Sequence, residues 1–172
     1  YECGHAILNH VLNPENPPQK INIIPRKNGV MGFSQMYNDE NKKFLTRDNY
    51  DDHCKILMGG RIAEWYKFDG KVSQGSYDDL EKINAIQREL VTKLCLDFTH
   101  TQFVEKETEP YNNVSDRSKY NVEMIIEKNI ENIIVTTKRL LSSNWNKLVQ
   151  MSELLIQKET IYLNDIKEIM NK

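Results

Sequence analysis

A chain of 172 residues, 39% hydrophobic and 28% charged with a formal charge of -2, has room for one domain with a real core. The near-neutral balance excludes the basic field of a nucleic-acid-binding protein. Three widely spaced cysteines, Cys3, Cys54 and Cys95, fit neither a Cys-x-x-Cys site nor a secreted disulfide framework, and point to a reducing compartment.

The first segment, Glu2 to Leu12, reads as a short helix with Ala6, Ile7 and Leu8 apolar and Asn13-Pro14 as its stop. It carries most of a known chemistry. In the pattern H-E-x-x-H, two histidines four residues apart share a helix face and hold zinc, while the Glu between them activates the metal-bound water. Glu2 and His5 fill two of these positions, and Tyr1 stands where the first histidine belongs. Since Tyr1 falls within the helical pattern, the polypeptide is expected to continue upstream, where a membrane or targeting segment could lie. No apolar run in the chain itself approaches the ~20 residues needed to cross a bilayer.

Lys20 to Ile24 alternates like a short strand closed by Pro25, and Val30 to Tyr37 supplies a second strand after Lys27-Asn28-Gly29, so a hairpin is expected. Asn38 to Lys43 reads as a loop. Thr46 then caps a helix through Cys54, Ile56, Leu57 and Met58, and Gly59-Gly60 marks either close backbone packing or a helix break. The pattern Ser76-x-x-Asp79 predicts a capping box opening a helix with Leu80, Ile83, Ile86, Leu90 and Leu94 at helical spacing. Phe98 to Asn113 is polar and irregular. Ser115-Asp116 opens a long helix carrying Ile126, Ile130, Ile133, Ile134, Leu140 and Leu141, which Asn144 interrupts. Amphipathic segments Trp145 to Gln157 and Leu163 to Met170 follow. The expected fold class is mainly α with a small β-hairpin or sheet, one domain over 1–172. Residues 1–98 form the half bearing the metal motif and 115–172 a helical half.

Four landmarks stand in one order: Glu2-x-x-His5, Ile23-Ile24-Pro25-Arg26, Gly59-Gly60-Arg61-Ile62-Ala63-Glu64, and Gly75-Ser76-Tyr77-Asp78-Asp79-Leu80. With Ile86-x-Arg88-x-x-Val91 and Leu154-Leu155-x-x-Lys158-Glu159-Thr160, this arrangement resembles the peptidase domain of the FtsH family along the whole chain. That family comprises membrane-bound, ATP-dependent zinc metallopeptidases that form hexamers. The resemblance implies that His5 is the second histidine ligand, Glu2 the general base and Asp79 the aspartate ligand. It places Glu64 near the metal site, with Trp65 in place of a second glutamate. The first ligand has no match, because Tyr1 stands there, and the ATPase module of full-length relatives has no counterpart in this sequence.

Catalytic zinc takes three protein ligands and an open position for water. Losing one imidazole leaves His5 and Asp79. A phenol of ordinary pKa about 10 is a poor substitute unless the metal drives its deprotonation, and its longer reach would displace the ion from Glu2. The zinc that the resemblance implies is therefore expected to be absent or weakly held. Cys3, about 200° round the helix from Tyr1 and His5, faces away; His10, His53 and His100 read as solvated or locally bonded. Without metal, His5 is expected to bond Asp79 or Glu2, and Asp79 keeps a separate role at a helix N-terminus. Gly59-Gly60-Arg61 reads as a packing element with a buried or paired arginine, since it lacks the ending of a phosphate-binding loop.

The reading that follows is an inactive FtsH-like domain with a structural role. Its setting is an oligomer, either a hexameric ATPase-peptidase or a membrane-protein assembly, with no nucleic-acid partner. The membrane is expected to be organellar, mitochondrial or plastid, or a bacterial inner membrane. The competing reading is an active zinc metalloendopeptidase domain acting on membrane or unfolded proteins, and a third is an interaction module that uses the Trp145 to Met170 face.

Overall fold

The computed structural model describes residues 1–24, 33–35, 45–96 and 114–171. Helix α1 (Glu2–Leu12) leads into strand β1 (Lys20–Asn22), which is followed by β2 (Phe33–Gln35) and helix α2 (Arg47–Lys67). A 3-10 turn, Gln74–Ser76, feeds α3 (Tyr77–Thr92). Then come α4 (Asp116–Ser143), α5 (Trp145–Lys158), β3 (Thr160–Tyr162) and α6 (Leu163–Met170). The expected mainly helical class with a minor sheet is what the chain adopts. Among the described residues, no helix is long and apolar enough to cross a membrane.

Local chemistry accounts for most boundaries. Thr46 accepts a bond from the Asn49 amide while the Asn49 side chain accepts from the Thr46 amide, closing a capping box at the start of α2. Ser115 caps α4 by accepting from the Ser118 amide at 3.2 Å. Asn144 ends α4 and starts α5, its side-chain amide bonded to the Leu140 carbonyl at 2.9 Å. Helix α5 stops where Glu159 takes a left-handed conformation, φ 56°.

One boundary forms differently from its prediction. Ser76 makes no side-chain capping bond to α3, because its buried hydroxyl accepts from Arg61 Nη1 at 2.7 Å. The Asp79 carboxylate is likewise drawn to partners on α1. Tertiary partners thus take both side chains of the expected capping box, though Asp78 and Asp79 still lie in the first turn, where negative charge favours a helix N-terminus. Arg61 is accordingly the paired arginine of the sequence reading.

Among the described residues the sheet has three strands in the order β2-β1-β3, all antiparallel. Of the expected hairpin, β1 and β2 pair with Ile21 opposite Ser34, whereas residues 30–32 and 36–37 lie outside the described residues, as do the Asn38 to Lys43 and Phe98 to Asn113 segments and His100. Strand β3 covers the other edge of β1 with Ile21 opposite Ile161, both fully buried. The main core gathers Ile7, Leu8, Ile83, Leu141, Met151 and Ile166 around α1 and α2. Each such burial contributes about 1.5–3 kcal/mol relative to exposure. Val91, Val122 and Ile126 form a smaller cluster between α3 and α4.

The doublet Gly59-Gly60 lies within the unbroken helix α2 and marks close packing. A Cβ on Gly4 would stand 2.4 Å from the Gly59 carbonyl oxygen, so α1 and α2 cross nearly backbone to backbone. A Cβ on Gly60 would meet His5 Nε2 at 2.6 Å and the Tyr1 ring at 2.7 Å. The second glycine therefore opens the space in which the motif side chains sit.

Candidate functional site

Tyr1 and His5 project from one face of α1 over Gly60 of α2, their rings edge to face with centroids 4.8 Å apart. From the first turn of α3, Asp79 meets both. Its Oδ2 lies 3.3 Å from His5 Nε2 and accepts the Tyr1 hydroxyl in a short hydrogen bond. Positions widely separated in the chain thus converge, with His5 and Asp79 side by side.

The Ile56 carbonyl of α2 stands 2.8 Å from His5 Nδ1. A carbonyl can only accept, so Nδ1 must donate, and the opposite nitrogen is the one turned toward Asp79. This is the arrangement by which a metal-binding imidazole is usually oriented. The orienting group is a main-chain oxygen, which no residue type in the sequence advertises.

Electrostatics follow from burial and this shared carboxylate. Burial opposes the charge on Asp79, but the contact with His5, whose Nε2 donates only in the imidazolium form because Nδ1 is already committed to Ile56, and the hydrogen bond from Tyr1 outweigh it and hold the carboxyl below its ordinary value. The Tyr1 phenol is driven the other way, by burial first and then by its bond to Asp79, far above its ordinary value. It keeps its proton at neutral pH and donates a hydrogen bond to Asp79. Glu2 is pushed up by burial, with His5 pulling in the opposite direction.

Of the remaining candidates, Glu64 stands close enough to add to the rise of the Tyr1 phenol, and His53 close enough to feel the Asp79 charge. Glu64 accepts from the Ser73 amide at 3.0 Å and from the Ser73 hydroxyl at 2.9 Å, so its carboxylate fastens the turn between α2 and α3. Trp65 stacks under Lys138, whose Nζ is 3.8 Å from the ring centroid. Cys3 is buried on the opposite side of α1, next to Ser152 of α5, and burial raises its thiol above the usual value. His10 is half-buried, and its Nδ1 has no hydrogen-bond partner among the described residues. His53 is exposed on α2.

The donors do not fit a catalytic zinc. Such an ion takes three ligands, drawn from thiolates, imidazoles and carboxylates, and keeps one position for water. Among the described residues, no three His, Cys, Asp or Glu side chains converge in a way that could hold a metal. Among the described residues His5 Nε2 and Asp79 Oδ2 are the donors that meet here, and the third group at the site is a protonated phenol already bonded to one of them. What this triangle can do is tie α1 to α3 through hydrogen bonds and an edge-to-face ring contact.

Comparison with known proteins gives a consistent picture. Residues 1–169 match the model of peptidase family M41. Similar sequences include ATP-dependent zinc metalloprotease FtsH of Bacillus subtilis, 28% identical with 99% of this chain and 28% of the relative covered. FtsH 1 of Thermomicrobium roseum is 26% identical over 100% of this chain and 28% of its own length. FtsH 3 of Phytoplasma mali is 31% identical over 99% and 26%, respectively. The chain thus spans less than a third of the length of these relatives.

Proposed function

The chain belongs to peptidase family M41, and from that premise we propose that it is a catalytically silent member whose role is architectural. One observation carries the reading: the Tyr1 hydroxyl bonds Asp79 where the family resemblance calls for a first imidazole ligand. A metal held by residues of α1 and α3 would cross-link the two helices. Tyr1 provides that link without an ion, so the domain keeps its shape while Glu2 has no activated water to serve. His5, oriented by Ile56 and held against Asp79, becomes part of the link.

Residues 1–98 and 115–172 act together as one domain in this proposal, a stable part of a larger oligomer. Its setting is either a hexameric ATPase-peptidase or a membrane-protein assembly, in an organellar or bacterial inner membrane. The relatives are named as ATP-dependent zinc metalloproteases, and less than a third of their length is represented here.

The test is zinc content and cleavage of an unfolded protein substrate, using protein never exposed to chelator, beside a Tyr1→His variant. The native chain is expected to carry no stoichiometric zinc and to show no chelator-sensitive cleavage, whereas the variant gains metal. Stoichiometric zinc with chelator-sensitive cleavage in the native chain would return it to the active zinc metalloendopeptidases.

A further inference from the structure

Helix α4 has two different faces. Val122, Ile126, Ile133 and Thr137 are buried on one, while Met124, Lys128, Glu131 and Val135 are all exposed on the other. The exposed set is spaced four, three and four residues apart, the rhythm of a coiled-coil seam. Met124 is 46% and Val135 61% exposed, so two apolar side chains close a solvent-facing row that has opposite charges at its centre. Among the described residues, neither Lys128 nor Glu131 belongs to an ion pair.

The order of side chains along this row is complementary to its own reverse. Laid antiparallel on a second copy, Met124 meets the partner's Val135 and Lys128 meets the partner's Glu131, and two-fold symmetry repeats each contact. In the same register Tyr120 faces the partner's Arg139, both exposed, a pairing of ring and guanidinium. A parallel arrangement would set Lys128 against Lys128 and Glu131 against Glu131. Only the antiparallel register satisfies the charges.

We propose that the outer face of α4 is a self-association surface, pairing antiparallel with α4 of a second copy of this chain about a two-fold axis between Asn129 and Ile130. From Met124 to Val135 the seam is only about 17 Å long at 1.5 Å per residue. It buries less than the roughly 800 Å² per partner of a standard interface, so the pairing is weak and depends on concentration.

Analytical ultracentrifugation of the 172-residue chain, from micromolar to millimolar concentration, tests this. A monomer–dimer equilibrium is expected. Either Lys128→Glu or Glu131→Lys places like charges opposite each other at both symmetric contacts and should weaken dimerisation about ten-fold or more. The double variant Lys128→Glu/Glu131→Lys restores opposite charges and should return to native strength. All these positions are solvent-facing, so circular dichroism and the melting midpoint should stay unchanged, which separates lost pairing from lost folding. A chain that is monomeric throughout, self-association indifferent to the single reversals, or a double variant no better than the singles would each overturn the proposal.

Discussion

Replacing Tyr1 by Phe removes one hydroxyl and leaves the ring that packs against His5 and Gly60. A hydrogen bond to a charged group contributes about 1.5–3 kcal/mol. The Asp79 side chain is 16% exposed and keeps His5, so water and imidazole offset part of the loss, and the expected cost is about 1.5–2 kcal/mol. For a domain of this size that lowers the melting midpoint by about 3–8 °C. The pH dependence is the sharper signature. Asp79 is depressed in the folded state, so its contribution is present above the unfolded carboxylate value of about 4 and fades as pH falls through the lower folded value. Tyr1 is raised, so its contribution is full below the unfolded phenol value of about 10 and fades as pH rises beyond it. Urea unfolding of both proteins should therefore show a gap that is level between about pH 5 and 9 and narrows on either side. Equal stability at pH 7, or a gap that ignores pH, would refute the idea that this phenol links α1 to α3.

The helix crossing gives a second expectation. Gly59→Ala should destabilise by about 3 kcal/mol or more, because the new methyl meets Leu8 Cδ1 at 2.7 Å and the Gly4 carbonyl oxygen at 2.8 Å. Gly60→Ala meets movable side chains instead and should cost less, about 1–3 kcal/mol by urea titration, while displacing the Tyr1 ring in a manner visible by fluorescence. Native-state titration with an aromatic disulfide reagent at pH 8 should leave Cys3 and Cys54 silent, since both are buried and burial lifts the Cys54 thiol to about 11; denaturant should release them. Glu159→Gly should raise stability by several tenths of a kcal/mol in the same assay, because φ 56° is a conformation that glycine adopts without strain.

Local signals made the helical framework legible. Thr46 and Ser115 supplied their caps, and the apolar periods of α3 and α4 coincide with buried Ile83, Leu90, Ile126 and Ile133. Strand β3 was hidden, because Thr160-Ile161-Tyr162 is too short to show an alternating pattern and exists by pairing with a strand far away in sequence. Gly59-Gly60 was ambiguous for a related reason. Only the crossing of α1 decides between a break and a close approach. At the candidate site, the helical spacing from Tyr1 to His5 and the placement of Asp79 could be read, whereas the Ile56 carbonyl could not, since every residue carries one. The partner of the Tyr1 hydroxyl is also invisible in sequence: the residues suggest a bond from His5 to Asp79 or Glu2, but the phenol's own bond depends on how α3 approaches α1.

The β1–β3 pairing bears on how this domain comes into being. Its partners, joined also by a 2.7 Å bond from Asn22 Nδ2 to Thr160 Oγ1, are separated by at least 138 positions. Contacts of such span incur their loop-closure entropy early and return stability late, which slows folding. During synthesis β1 therefore waits for its partner until Tyr162 has left the ribosome, and a ribosome stalled before Thr160 would hold a nascent chain with one side of β1 unpaired.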